Sequence, residues 1–384
     1  MNNKTKFPKP NLILYHLIAF FVRIFLWIKF KPKYNLDEIR HIKGPAVIMC
    51  SHTSNLDFLL VAVGLLPLRP TYIMSNHFFV HPKIGPLLKP LHAIPKKMFC
   101  ADVNAVRQIM KAIRAGNQVI MFPEGRLSCC GHGLPIAEGT AELLKKLGVD
   151  VYWLEEHGLY KALPKWGKTG IRKGPVHIDG GLLMKGEELA SLSVDEINSN
   201  LYEAVYHNDE KSFVGETYKS EAPALGLHEI LYKCPICGEE FKMSSYDDTL
   251  KCESCGTEWT LDQQYVLHGD KFNSINAWFD WEQSVVDIDK PIECDCLLGT
   301  PDENGVMNHE AGSGHFKVDQ DEITYEGTLW GEPFSFIEKT SAIKAFPVTV
   351  GKHIDMYSNK VLYYITPVKD RNLTTKYVQF MDRL

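Results

Sequence analysis

His52 and Asp57 stand five residues apart in Ser51-His52-Thr53-Ser54-Asn55-Leu56-Asp57, directly after the apolar run Ala46–Cys50. Within one continuous helix of about 3.6 residues per turn they would point away from each other. They meet if a helix begins between them, with Ser54 or Asn55 as its cap. The carboxylate can then hold one imidazole nitrogen and leave the other free as a general base. A second short run, Phe122-Pro123-Glu124-Gly125-Arg126, also follows an apolar stretch. Pro123 stiffens the exit, Gly125 permits a close turn, and the planar fork of Arg126 suits a phosphate group. The plainer readings are a capping loop with an incidental His and a surface turn with a solvated Glu–Arg pair. A third group has metal-ligand character: Cys234-Pro-Ile-Cys237-Gly and Cys252-Glu-Ser-Cys255-Gly give C-x2-C-x14-C-x2-C. Four thiolates suit tetrahedral zinc in a closed structural site. Iron is the alternative ion and disulfides the alternative chemistry.

The first two groups need a scaffold that brings them to one edge. Runs 46–50, 71–74, 93–95, 118–122, 149–154 and 176–178 read as strands. Runs 56–66, 103–115, 140–147 and 193–207 read as helices, and 84–91 as a helical stretch broken by Pro86 and Pro90. Gly116 and Gly148 are helix stops, and Ser193 with Glu196 three places on is a capping box. Strands alternating with helices imply an α/β fold whose largely parallel sheet is covered on both faces. Such sheets place ligands at their strand ends. From about residue 221 the character changes. Runs 316–318, 322–325, 345–350, 361–366 and 376–380 read as strands of a mostly β module, with Trp278, Trp281 and Trp330 expected as core anchors.

The N-terminal stretch 12–28, LILYHLIAFFVRIFLWI, is flanked by Lys4, Lys6 and Lys9 before it and Lys29, Lys31 and Lys33 after it. It lacks the small-residue cleavage site of a signal peptide. As a spanning helix it is short, and Arg23 within it costs roughly 2.5–3.5 kcal/mol near a bilayer centre. An interfacial helix, with aromatics inward and lysines among headgroups, accounts for both features better. The expected location is the cytoplasmic face of the cell membrane, monotopic or with a single N-terminal span.

Across 384 residues the net charge is only −5, but the two halves differ. Residues 1–180 carry 25 Lys and Arg against 11 Asp and Glu, while the remainder carries 17 against 36. A basic front half suits an anionic surface or a phosphate substrate. The composition excludes collagen-like and long disordered chains. The ten cysteines are not spaced as a secreted disulfide scaffold, which points to a reducing, cytosolic compartment. Cys50 and Cys100 are isolated, and Cys294 and Cys296 are unassigned thiols. The acidic ribbon, with Glu239, Glu240, Asp247, Asp248, Glu253 and Glu258, disfavours nucleic acid as a partner.

Taken together, the His52/Asp57 and 122–126 motifs resemble the glycerolipid acyltransferases of the lysophosphatidic acid acyltransferase family. Their first motif is H-x4-D and their third is F-P-E-G followed by an Arg. The resemblance covers about 45–181, and an N-terminal membrane-binding helical segment is usual in that family. It implies a direct transfer in which His52 deprotonates a glycerol hydroxyl that attacks an acyl thioester, of coenzyme A or acyl carrier protein. Asp57 would orient His52, and Glu124, Gly125 and Arg126 would bind or frame the lysolipid phosphate. The family's second motif carries a basic phosphate ligand, a role open here to Lys96 or Lys97. The chain departs from the family pattern in three places: Ser51 replaces the Asn before the His, Leu127 holds the usual Arg position, and 149–154 lacks the Pro of the fourth motif. The form 122–128, with Gly131 and Gly139-Thr140 downstream, looks more like the branch that reacylates lysophosphatidylethanolamine. The expected domains are a membrane-associating segment 1–40, an acyltransferase domain 41–220, a zinc ribbon 228–265 and a β module 270–384. The competing reading is a non-catalytic membrane scaffold whose ribbon and β module dock a protein partner.

Overall fold

A computed structural model describes residues 7–81, 83–97, 102–303 and 305–384. Lys4, Lys6 and Cys100 lie outside the described residues. The chain forms two compact units, one of residues 1–163 and 171–218, the other of 164–170 and 219–384.

The first unit is built on a seven-stranded sheet of β1 (Lys33–Asn35), β2 (Ala46–Cys50), β3 (Thr71–Ser75), β4 (Ile94–Lys96), β5 (Gln118–Met121), β6 (Val151–His157) and β7 (His177–Met184). The spatial order is β1-β7-β6-β2-β5-β3-β4. Every neighbouring pair is parallel except β6 and β7. β2 is buried along its whole length, which is why it reads as an unbroken apolar run rather than an alternating one.

Helices cover both faces. On one side lie α3 (Val103–Arg114), α4 (Thr140–Leu147) and α5 (Val194–Val205). Their Ile109, Ala112, Leu144, Ile197 and Leu201 share a core with Val47, Met49, Val119 and Val151 of the sheet. Asp102 caps α3 by accepting from the Asn104 and Ala105 amides, both at 3.0 Å. Ser193 and Glu196 form the anticipated capping box on α5.

On the other side lie α1 (Leu12–Lys29) and α2 (Asp57–Gly64), with Leu26, Leu60 and Val61 fully buried. α1 packs through Tyr15, Ala19 and Leu26 and leaves a broad apolar face bare, with Ile13 78% and Phe21 and Trp27 each 62% exposed. At about 1.5 Å per residue its 18 residues span about 27 Å, just short of a bilayer's hydrocarbon core.

The second unit begins with a four-stranded sheet in the order β11-β10-β9-β8, from β8 (Met243–Tyr246), β9 (Thr249–Cys252), β10 (Glu258–Leu261) and β11 (Leu267–His268). After α6 (Ile275–Ser284) comes an antiparallel sheet ordered β15-β14-β13-β12-β18-β17-β16. Its strands are β12 (Ile292–Pro301), β13 (Met307–Val318), β14 (Glu322–Leu329), β15 (Glu332–Lys339), β16 (Val348–Thr349), β17 (His353–Ser358) and β18 (Val361–Pro367). Two expectations are corrected here. The run 376–380 lies inside a helix, α7 (Leu373–Arg383), because Leu373, Tyr377 and Phe380 bury one helical face at spacings of four and three. Trp278 is a core anchor at 0% exposure, but Trp330 turns out to solvent at 52%. It occupies the β14–β15 turn at φ 53°.

Candidate active site

β2 and β5 are adjacent and parallel, so the turns that leave their carboxyl ends emerge side by side. The first turn carries His52. Its Nδ1–H donates to Asp57 Oδ2 at 2.7 Å, which leaves Nε2 as the acceptor nitrogen. Asp57 opens α2, but neither Ser54 nor Asn55 caps that helix; Leu56 holds the cap position without a side-chain bond. The contact runs the other way. The Asp57 carboxylate reaches back and accepts from the Thr53 amide at 2.9 Å, the Ser54 amide at 2.7 Å and the Thr53 hydroxyl at 3.3 Å. Asp57 is 1% exposed and His52 25%, so the imidazole alone meets an incoming molecule.

The second turn carries Glu124, and its carboxylate is spent inside the protein. Oε1 accepts from the His52 amide at 2.9 Å and Oε2 from the Leu134 amide at 2.8 Å. Burial pushes the Glu124 carboxyl up to about 8, against the lowering effect of those two amides. The His52 ring lies 4.6 Å from that of Phe122, tilted by 32°. Glu124 thus frames the site from within. Gly125 takes φ +72°, and half-buried Arg126 follows in the same turn. The loop beyond is tightly held. Ser128 Oγ accepts from the Gly131 amide at 3.0 Å, and the Tyr160 hydroxyl donates to the Cys129 carbonyl at 3.4 Å. A Cβ on Gly131 would fall 2.3 Å from the Tyr160 ring, at φ +92°.

Lys96 ends β4 and is half-buried; β3 separates that strand from β5. Lys97 is exposed, and its amide donates to Asp102 Oδ2 at 2.8 Å. Both lysines therefore stand at the carboxyl edge of the sheet, farther along it than the 122–126 turn.

Two buried groups beside the site were not anticipated. Glu156 is fully buried on β6, and its amide donates to Ser51 Oγ at 2.9 Å. His207 is also fully buried, with Nδ1 3.9 Å from Glu124 Oε1 and both ring nitrogens without a hydrogen bond. Desolvation lowers it to about 3. The alternation Leu154, Glu156 on one strand face was a usable signal for the first; nothing local marks His207, which follows the last turn of α5. Beside α2, an apolar pocket is lined by Tyr15, Ala19, Phe58, Leu59, Tyr72 and Leu88, and Phe58 follows Asp57 directly.

In the second unit Cys234, Cys237, Cys252 and Cys255 bring their sulfurs within 4.8 Å of one another. Cys234–Cys255 and Cys237–Cys252 are each 3.7 Å apart. Four sulfurs at about 2.3 Å from a tetrahedral centre would stand about 3.8 Å apart, so the set can hold a metal ion as it is. The Gly238 amide donates to the Cys234 carbonyl at 3.0 Å and the Gly256 amide to the Cys252 carbonyl at 2.8 Å, closing each knuckle. Cys294 lies apart from this set, its sulfur 3.5 Å from the Tyr377 hydroxyl.

The family model described as "Acyltransferase" matches residues 29–153. The chain is 24% identical over 172 residues to the 1-acyl-sn-glycerol-3-phosphate acyltransferase of Bacillus subtilis (strain 168), covering 45% of this chain and 82% of that one. It is 26% identical over 207 residues to the chloroplastic 1-acyl-sn-glycerol-3-phosphate acyltransferase BAT2 of Brassica napus, covering 52% and 58%. The chain thus spans most of the bacterial relative and little over half of the plant one. The crystal structure of the Thermotoga maritima 1-acyl-sn-glycerophosphate acyltransferase PlsC is similar over 50% of this chain and 76% of that chain, at 22% identity and a TM-score of 0.43.

Proposed function

We propose, on the match of residues 29–153 to the acyltransferase family model, that this protein is an O-acyltransferase that moves a fatty acyl group from a thioester to the hydroxyl of a lysophospholipid. The similar proteins carry names that specify 1-acylglycerol-3-phosphate as the acceptor, and that headgroup is the first choice here. Lysophosphatidylethanolamine is the second, on the form of the 122–128 run.

The observation that carries the reading is the pair of turns. His52, oriented by Asp57 at 2.7 Å, is joined through Glu124 to the turn that holds Arg126. In the reaction, His52 Nε2 takes the proton of the acceptor hydroxyl as its oxygen attacks the thioester carbonyl. The tetrahedral intermediate collapses, the C–S bond breaks, and the departing thiolate takes the proton from His52. One ester forms, one thiol is released, and the imidazole returns neutral. The Asp57 carboxylate balances the imidazolium between the two proton transfers. Arg126, with Lys96 or Lys97, holds the lysolipid phosphate, and Gly125 lets the chain pass close to it. The apolar pocket beside α2 is suited to an acyl chain, since Phe58 in its wall adjoins Asp57.

The bare face of α1 is the membrane contact, with the catalytic unit on the cytoplasmic side. The four cysteines suit zinc in a structural role. As functional segments we assign a membrane-associating stretch 1–40, an acyltransferase domain 41–220, a ribbon 228–265 and a β module 270–384.

The test is to incubate detergent-solubilised protein with a panel of lysolipids and labelled acyl-coenzyme A or acyl carrier protein, reading the lipid products by mass spectrometry. Acylation of a lysophospholipid by the wild type, lost in His52→Ala with the fold and metal content kept, is the expected result. Full activity in His52→Ala removes the proposed base. A wild type that acylates no lysolipid in the panel leaves the scaffold reading in its place.

A further inference from the structure

Glu156 is a carboxyl group in a place that cannot support a second charge. It sits on β6 with 0% exposure, tied by its own amide to Ser51, the residue before the general base. Its side chain faces the Asp57 carboxyl and the Thr53 hydroxyl, and no backbone amide or cation is aimed at its oxygens. Among the described residues, Asp209, Cys50 on β2, Tyr34 on β1 and Tyr72 on β3 also interact with it. These are an acid, a thiol and two phenols, none of which brings a compensating positive charge.

Asp57 is in the opposite condition. It collects four donors: His52 Nδ1, two amides and the Thr53 hydroxyl. Of two carboxyls packed together out of water, the one richer in donors keeps the charge and the other keeps a proton. Burial first, and the Asp57 charge second, drive the Glu156 carboxyl well above the ordinary carboxylate range.

We propose that Glu156 is a proton-carrying positioning residue, whose neutral carboxylic acid offers an O–H to Asp57 and keeps a second negative charge away from the His52–Asp57 pair. The consequence is electrostatic. One carboxylate behind His52 is enough to stabilise the imidazolium formed during proton transfer. A second, fully desolvated carboxylate would hold His52 in the charged form before substrate arrives, and a charged imidazole cannot accept the hydroxyl proton. Glu156 therefore sets the resting charge of the base without touching substrate. This role rests on the acyltransferase reading; the protonation state does not.

Three measurements on the full-length protein test it. Infrared difference spectroscopy of wild type against Glu156→Gln at neutral pH should show a protonated-carboxyl band that the variant lacks. Glu156→Gln, which keeps shape and a donor without charge, should retain turnover within about threefold and leave the acid limb of the rate profile in place. Glu156→Leu, which loses the donor, should lower kcat by about tenfold or more with KM for the lysolipid unchanged. Absence of the band overturns the proposal. So does a shift of the acid limb by about one pH unit or more in a folded Glu156→Gln, or its inactivity. Wild-type kcat in Glu156→Leu overturns it as well. Should thermal melting show that the Leu variant does not fold, the band and the Gln profile still decide. Because the band is independent of turnover, its presence in a protein that transfers no acyl group rejects the reaction and with it the positioning role, whereas its absence from an active enzyme rejects Glu156 alone.

Discussion

The main-chain amide of His52 donates to Glu124 Oε1 at 2.9 Å across 72 residues of sequence, while the other oxygen of that carboxylate holds the Leu134 amide at 2.8 Å. One buried side chain thus fixes the height of the proposed base, His52, and the path of the loop that follows Arg126. Glu124→Ala removes the acceptor from two buried amides at once, at a cost of about 1–3 kcal/mol for each amide left without a partner. The expected result is a lower thermal midpoint together with a loss of turnover of about a hundredfold or more, because the His52 turn and the Arg126 turn lose the common register that the proposed mechanism needs. A variant with wild-type turnover and a lower midpoint would reduce Glu124 to a stabilising group only.

Asp57 separates orientation from charge. In Asp57→Asn the amide group is nearly the same size, but its NH2 is brought against donors that the carboxylate now accepts. The imidazole is then free to present the wrong nitrogen. Turnover should fall by about 10²–10⁴ with little change in KM for the lysolipid, measured under saturating thioester. A fall in KM-dependent binding with kcat intact would assign Asp57 to substrate binding instead.

The buried groups give stability a pH dependence with two opposed slopes. His207 falls from 6.5 to about 3 in the fold through desolvation, so between those values the unfolded chain binds a proton that the fold excludes. Stability contributed by His207 is therefore lost as pH drops through that window. Glu124 rises from 4.5 to about 8, again through desolvation, so the fold keeps a proton that the unfolded chain releases, and stability falls as pH climbs from 4.5 to 8. Thermal midpoints across this range should show a flatter acid side in His207→Asn and a flatter alkaline side in Glu124→Gln. Parallel curves for wild type and both variants would show that neither group titrates between folded and unfolded states in this way.

The four cysteines should hold one metal equivalent per chain, read by elemental analysis of protein purified without added metal. Cys237→Ser should lose it. The β8–β11 sheet should then melt at lower temperature, since the binding energy of such a site is folding energy. Retention of a full equivalent in the variant would place the ion elsewhere.

Much of this architecture was legible because local chemistry and tertiary role coincide. β2 and Thr140–Leu147 fall on their sequence boundaries: one is a pure apolar run, the other an amphipathic turn sequence closed by Gly148. The capping box at Ser193 is local by nature and could be read directly. The His52–Asp57 contact also follows from spacing, although the cap does not: Leu56 holds the cap position, and the Asp57 carboxylate turns back onto the Thr53 and Ser54 amides ahead of the helix. What could not be read depends on distant partners. The carboxylate of Glu124 looks like a ligand group in its own turn, and only the fold reveals that two amides occupy it. The run 376–380 alternates well enough to pass for a strand, and its helical face is visible only when Leu373 is included. Glu156 and His207 gain their character entirely from what encloses them.

The close seating of Gly131 against Tyr160 has a bearing on selectivity. With a ring against its Cα and Ser128 latching its amide, the stretch beyond Arg126 has no slack to recoil into. On the acyltransferase reading, a methyl grafted onto residue 131 must drive the Tyr160 ring aside and drag the segment behind Arg126 with it, so the choice of acceptor headgroup should change in that variant.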